Sequence, residues 1–71
     1  MTRYKNINGD SGVIAYEIGD DFILAQFHDR KTYSYSYAKA GAFHVEIMKK
    51  LARQGHGLNS YINRNVRKLY D

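Results

Sequence analysis

The chain is 71 residues long with a net charge of +4, no cysteine and no proline, and it carries seven tyrosines and three phenylalanines. This length supports a single core, and the apolar and aromatic content is too high for a disordered chain. The lack of cysteine excludes a disulfide framework and any thiolate site, and no apolar run approaches the roughly 20 residues of a membrane span, so we expect a soluble cytoplasmic protein.

The first ten residues predict a flexible N-terminal arm that precedes a single domain over residues 11–71. Segment 2–12 is polar, with the turn-forming pair Asn8-Gly9 and a run of small polar residues after it. Such composition is typical of a mobile arm or turn. We therefore expect no strand or helix here, and Tyr4 is interpreted as a disordered aromatic residue.

Three strands are predicted next, and their short connections require antiparallel pairing. Residues 13–18 alternate, so that Ile14, Tyr16 and Ile18 share one face of a half-buried strand. Residues 22–28 are apolar on both faces, as expected for the middle strand of three.

The third strand contains the most regular pattern of the chain. In segment 31–37 tyrosine alternates with threonine or serine, which puts Tyr33, Tyr35 and Tyr37 on one face. A row of phenol rings is either half of a hydrophobic core or a platform on which nucleotide bases stack. Because the hydroxyl side chains of the other face suit solvent, we predict that the tyrosines face the helices, and the platform stays open as the alternative.

After Tyr37 the apolar period changes from two to 3.6, which predicts a first helix. Its apolar arc consists of Phe43, Val45, Ile47, Met48, Leu51 and Ala52. Its polar arc consists of Glu46, Lys49, Lys50 and Arg53. Gly55 or Gly57 is expected to take the left-handed conformation at the helix end.

A second helix is predicted to begin with Asn59 or Ser60 as its cap. Its apolar stripe consists of Leu58, Ile62, Val66 and Leu69, and the opposite stripe of Arg64, Arg67 and Lys68. The expected fold class is α+β, a three-stranded antiparallel β-meander followed by two α-helices packed on one face.

No catalytic constellation is recognisable in the sequence. The three histidines are dispersed and lack metal-site spacing, and the adjacent pair Asp20-Asp21 is typical of a solvated turn. The glycines match neither the Walker pattern of phosphate-binding loops nor the glycine fingerprint of dinucleotide-binding domains. We therefore predict that the protein is not an enzyme and has no metal, no cofactor, no small-molecule substrate and no membrane partner.

The charge is concentrated in one half of the chain. Residues 1–38 contain four basic and five acidic side chains, whereas residues 39–71 contain seven basic and two acidic ones. This asymmetry indicates RNA or another polyanion as partner, although an ordinary solvated basic face gives the same pattern. The candidate binding residues are Arg53, Arg64, Arg67, Lys68, Tyr33, Tyr35 and Asn63. The alternative function is a protein-interaction adaptor or homodimeric module that uses a strand edge or the tyrosine face.

Several short segments together resemble the KTSC domain. They are Ser11-Gly12-Val13-Ile14, Leu24 to Phe27, Tyr33-Ser34-Tyr35, Leu51-Ala52, Tyr61-Ile62-Asn63, Val66-Arg67 and Tyr70. KTSC domains occur at the C-terminus of some lysyl-tRNA synthetases and as small free-standing bacterial proteins, and the association with a synthetase implies RNA binding.

By position, the resemblance implies a role for Tyr33, Tyr35, Asn63, Arg67 and Tyr70. The chain departs from the family pattern at two places. Arg30 stands where the family tends to have glycine, so we expect a different hairpin with added charge at its tip. Segment 57–61, from Gly57 to Tyr61, is also a little longer than the spacing that the family usually has between its glycine and the next aromatic residue.

Overall fold

The fold is an antiparallel sheet covered by two helices. A computed structural model describes residues 1–7, 9 and 11–71. The strands are β1 (Thr2–Arg3), β2 (Val13–Ile18), β3 (Phe22–Phe27) and β4 (Thr32–Ser36), and the helices are α1 (Ala42–Gln54) and α2 (Leu58–Tyr61), which continues as a π-helical segment (Ile62–Val66). The sheet order is β1-β2-β3-β4, with every pair antiparallel. The α+β class is confirmed.

The predicted number of three strands is wrong, because the N-terminal segment adds a fourth. Thr2 and Arg3 pair with Tyr16 and Ala15 of β2, and the Tyr4 N–H donates to the Ile14 carbonyl at 2.9 Å. The N-terminal segment packs on the rest of the fold, since Tyr4 is buried in the core at 3% exposure. The interpretations of Tyr4 as disordered and of segment 2–12 as lacking any strand were therefore wrong.

Part of the N-terminal prediction lies outside the described residues. Asn8 of the proposed Asn8-Gly9 turn and Asp10 belong to that part. The boundary between an arm over 1–10 and a domain over 11–71 stays a prediction.

A β-bulge at the start of β2 reverses the predicted alternation. Val13 pairs with Phe27 and Ala15 with Gln26, so one extra residue stands opposite β3 between these pairs. The extra residue shifts the register, and Val13 joins Tyr16 on the core face whereas Ile14 is 39% exposed. The prediction that Ile14 shares a face with Tyr16 was wrong for this reason.

The tyrosines of β4 face the helices, as predicted. Tyr33 and Tyr35 pair with Ala25 and Ile23 of β3, and Tyr35 is 1% exposed. Tyr37 follows the strand and is 37% exposed, but its hydroxyl donates to the Glu46 carboxylate of α1 at 2.5 Å. The tyrosine row therefore forms part of the core at Tyr35 and reaches its rim at Tyr37.

Helix α1 buries or half-buries its predicted apolar arc except at Phe43, and it also buries Lys49 of the predicted polar arc. Its buried residues are Val45, Met48, Lys49 and Ala52, whereas Phe43 is 74% exposed. Lys49 is accommodated because its ammonium donates to the Asp20 carbonyl at 3.0 Å and pairs with Glu46 at 2.9 Å, while its aliphatic stem is buried. Gly55 ends the helix with φ 86°, as predicted, and Gly57 is also left-handed.

The C-terminal helix, residues 58–66, begins before both predicted caps, so the prediction of Asn59 or Ser60 as the cap was wrong. Gly57 stands at the N-cap position, and the first helical N–H, that of Leu58, donates to the Tyr4 hydroxyl at 3.3 Å. Leu58, Ile62 and Val66 of the predicted apolar stripe are buried. Three residues predicted for this helix lie after Val66, its last residue: Arg67, Lys68 and Leu69. Within the described residues, no helix has the length and apolar character needed to cross a bilayer.

Candidate functional site

A groove of about 260 Å³ opens between the β3–β4 hairpin and the C-terminal helix. It is lined by Phe27, His28, Asp29, Tyr33, Tyr35, Ile62, Asn63, Arg67 and Tyr70. Four of the seven candidate residues meet here, namely Tyr33, Tyr35, Asn63 and Arg67. The groove joins aromatic side chains of the sheet to polar side chains of the helix.

The aromatic wall of the groove is built from edge-to-face contacts. The Phe27 and Tyr33 ring centroids lie 5.7 Å apart at 75°, and those of Tyr33 and Tyr70 lie 4.8 Å apart at 60°. Such geometry is favourable because the positive edge of one ring meets the negative face of the next. Tyr33 is half-buried and Tyr70 is 42% exposed, so Tyr70 offers solvent the larger ring surface.

The floor of the groove contains Tyr35, which sequence reasoning had considered as a stacking residue. Burial, followed by the neighbouring phenols of Tyr33 and Tyr70, raises the pKa of Tyr35 to about 12. At 1% exposure its ring packs into the core and has no open face for a base. Tyr35 therefore supports the wall and stays neutral at physiological pH.

The last two residues fix the position of the Tyr70 ring. The Asp71 N–H donates to the Ser34 carbonyl at 2.7 Å, and the Asp71 carboxylate accepts from the Ser34 and Ser36 hydroxyls at 3.0 and 2.6 Å. These bonds lie along the outer edge of β4, which is the last strand of the sheet. Tyr70, the residue before Asp71, is thereby held against Tyr33.

The polar rim of the groove includes Asn63 and Arg67. They lie four positions apart, so both project from the same side of the helix. Both are exposed, and neither forms a hydrogen bond or ion pair with any described residue. An amide and a guanidinium without protein partners are available to an incoming ligand.

The turn between β3 and β4 forms the opposite rim and carries two cations. The Arg30 N–H donates to the Phe27 carbonyl at 2.8 Å, and the Phe27 N–H donates to the Lys31 carbonyl at 2.9 Å. Arg30 adopts φ 70°, the left-handed conformation that glycine takes without strain. The expectation of a hairpin different from that of the family stays a prediction. The added charge at the tip is present, since Arg30 and Lys31 are exposed.

The remaining candidate cations lie outside the groove. Arg64 follows Asn63 on the helix, Lys68 follows Arg67 in the turn after the helix, and both are exposed. Arg53 belongs to α1, where its charge acts on Glu46. The pKa of Glu46 is lowered chiefly by the hydrogen bonds from Tyr37 and Lys49, with the charges of Lys49 and Arg53 adding to them. Arg53 is thus a weaker candidate for nucleic-acid binding than Arg64, Arg67 and Lys68.

Sequence reasoning missed the hairpin side of the groove. Phe27 was assigned to a strand face, and His28 and Asp29 to a strand end and a turn, without a role in binding. Tyr70 entered only through the family resemblance. The spacing of β3 and β4 around a short turn is the signal that joins Phe27 to Tyr33, since residues across a hairpin lie side by side.

The other titratable groups that the structure describes do not form a second chemical site. The His44 Nδ1 lies 2.6 Å from the Tyr61 hydroxyl, whose pKa is raised by burial, and His28 stands on the rim of the groove. Across residues 1–7, 9 and 11–71 no group of three histidines or carboxylates could hold a metal ion.

No protein-family model, no curated protein and no solved structure matches this chain. The likeness to the KTSC domain therefore depends on the sequence segments themselves and stays a prediction. Of the five residues that this likeness singles out, the fold brings all to the groove: Tyr33, Tyr35, Asn63, Arg67 and Tyr70.

Proposed function

We propose that the protein is a non-enzymatic module that binds RNA or another nucleic acid. The observation that carries this proposal is the groove itself, in which aromatic rings lie beside an unpaired guanidinium and amide. Nucleic acids present flat apolar bases and anionic phosphates, and a site for them combines aromatic side chains with cations. The cytoplasm, predicted from the lack of cysteine, is the compartment that we propose for this activity.

The charges around the groove support the same function. Arg67 lines the groove, and Arg64 and Lys68 are exposed within three residues of Arg67 in the chain. Arg30 and Lys31 are exposed on the turn between β3 and β4. Among the described residues the one ion pair is Lys49 with Glu46, so none of these five cations is neutralised by a protein carboxylate in contact with it. Phosphate binding to such cations releases counterions, which makes affinity depend strongly on salt.

The proposal is tested by measuring the binding of the intact protein to a single-stranded RNA, a hairpin RNA and a simple polyanion. We expect RNA to bind more tightly than the polyanion at equal charge, with affinity that falls between about 50 and 200 mM salt. Salt-independent binding, or equal binding of RNA and polyanion, would contradict the proposal.

The alternative, a protein-interaction adaptor or homodimer, has less support at the surfaces predicted for it. Tyr35 of the tyrosine face is in the core, the outer edge of β4 accepts a hydrogen bond from Asp71, and β1 has only two residues. The observation in its favour is Phe43, a large apolar side chain that is 74% exposed on α1. Self-association that is insensitive to salt and is lost on Phe43→Ser would support this alternative.

A further inference from the structure

We infer that the groove takes one unstacked base of a single strand, with the phosphate of that nucleotide at Arg67; this inference rests on the proposed nucleic-acid function and names the element that is recognised. The groove encloses about 260 Å³, which is below the roughly 300–1,000 Å³ of sites for drug-sized ligands. A group about the size of one nucleobase suits this space, whereas a stacked run of bases does not.

The rings of the groove are arranged to receive one flat partner. Tyr33 is held from both sides, by Phe27 at 5.7 Å and by Tyr70 at 4.8 Å, and these contacts fix its orientation. Tyr70 is the accessible member of this set, with 42% of its surface exposed. A base that stacks on Tyr70 gains a rigid aromatic neighbour without rearrangement of the protein, because Asp71 already anchors the chain end.

The polar groups of the rim suit the two remaining parts of a nucleotide. The Asn63 amide presents both donors and an acceptor, which match the mixed donor and acceptor edge of a base. Arg67 lies four residues further along the helix and presents a fork of N–H donors that matches phosphate oxygens. Neither side chain has to break a bond with a described residue before it binds.

A base within a duplex cannot use this site. Both of its faces are stacked and its pairing edge is occupied, so it would first have to be flipped out at a cost of a few kcal/mol. The groove therefore selects single strands, loops or bulges over paired RNA.

The test compares three nucleic acids of equal phosphate number: a single-stranded RNA, the same strand with abasic positions throughout, and a perfect duplex of half that length in base pairs. We expect the intact strand to bind about tenfold more tightly than the abasic strand, which is within the range for stacking of one base on an aromatic side chain. Tyr70→Ala should reduce this ratio towards one and leave abasic binding unchanged. Phe43→Ala, which removes an exposed aromatic ring from α1 away from the groove, is the matched control and should leave the ratio as it is.

The outcomes separate this inference from the proposed function. If the intact, abasic and duplex forms bind alike with the same salt dependence, the nucleic-acid function stands and base capture is overturned. If none of them binds, both fail. Asn63→Ala provides a second variant, since Asn63 is exposed and its removal leaves the fold intact. This variant should change the preference among single bases placed in an otherwise abasic strand. An unchanged preference would contradict the inference that the Asn63 amide hydrogen-bonds to the edge of the base.

Discussion

The Tyr4 hydroxyl accepts a hydrogen bond from the backbone N–H of Leu58 at 3.3 Å, across 54 positions of the chain. The Leu58 N–H is one of the helix N-terminal donors that have no partner within the helix. A side chain from the N-terminal segment thus caps the helix that carries Asn63 and Arg67. The N-terminal segment is therefore part of the structure that positions the candidate site.

Replacement of Tyr4 by phenylalanine should lower the free energy of unfolding by about 1 kcal/mol, because the buried Leu58 N–H loses its acceptor. Urea unfolding followed by circular dichroism measures this change. Tyr16→Phe is the matched control, since its hydroxyl makes no hydrogen bond to a described residue. Equal stability of the two variants would show that the cap does not contribute.

Arg67→Ala should weaken RNA binding and reduce the slope of log affinity against log salt by about one, since one phosphate contact is lost. Lys39→Ala removes the same charge at the far end of β4 from the groove and should leave both quantities unchanged. Fluorescence anisotropy over a series of salt concentrations measures both. Equal slopes for the two variants would exclude Arg67 as a phosphate ligand.

Arg30→Gly should raise the free energy of unfolding by roughly 0.5–1 kcal/mol, because glycine adopts φ 70° without the steric cost that arginine carries there. The same variant should weaken RNA binding, since it removes an exposed cation from the turn that follows His28 and Asp29, which line the groove. Lys31→Ala is the control, with loss of the neighbouring charge and no gain in stability. A destabilised Arg30→Gly protein would mean that the arginine side chain contributes more than its backbone strain costs.

Tyr35 should make the fold sensitive to alkali between pH 10 and 12. Its pKa is raised from 10.0 to about 12, chiefly by burial, so the folded state binds this proton more tightly than the unfolded state does. The stabilisation is complete below pH 10 and is lost as the pH rises towards 12. Tyr35→Phe should therefore unfold at higher pH than the parent protein, as monitored by circular dichroism with ultraviolet difference spectra. An unchanged alkaline midpoint would contradict this account.

Lys49→Ala should be destabilising by about 1–3 kcal/mol, because it removes a buried stem and the bonds that join α1 to the β2–β3 turn at Asp20. Lys50→Ala, at the next position but exposed, should change stability by less than about 0.5 kcal/mol. The loss of Lys49 should also move the pKa of Glu46 back towards its ordinary value of 4.5, which NMR titration of the carboxyl measures. Equal effects of the two lysine variants on stability would contradict the contact at Asp20.

Periodicity was sufficient to predict much of the fold. The alternation in β4 set the face of Tyr33 and Tyr35, and the four-residue spacing of Leu58, Ile62 and Val66 set the buried stripe of the C-terminal helix. Both patterns are local, and the burial of one face follows directly from them. They also include three of the residues that line the groove, namely Tyr33, Tyr35 and Ile62.

Periodicity failed where a contact over long sequence distance decided the outcome. Lys49 of the predicted polar arc of α1 is buried, where its ammonium donates to the Asp20 carbonyl 29 positions away, and Phe43 of the predicted apolar arc is exposed. The bulge in β2 reversed the positions of Val13 and Ile14 because its register is set by pairing with β3. Neither partner can be identified from the residues next to it.

The sequence by itself determined the α+β class, the core face of β4 and the basic side of the last helix, because each follows from side-chain spacing within one element. Only the tertiary structure decided that Tyr4 belongs to the core and that Tyr70 stands against Tyr33. It also decided that Arg67, rather than Arg53, lies at the groove. The physical reason is that a groove is made by side chains from separate elements, and their meeting depends on how the whole core packs.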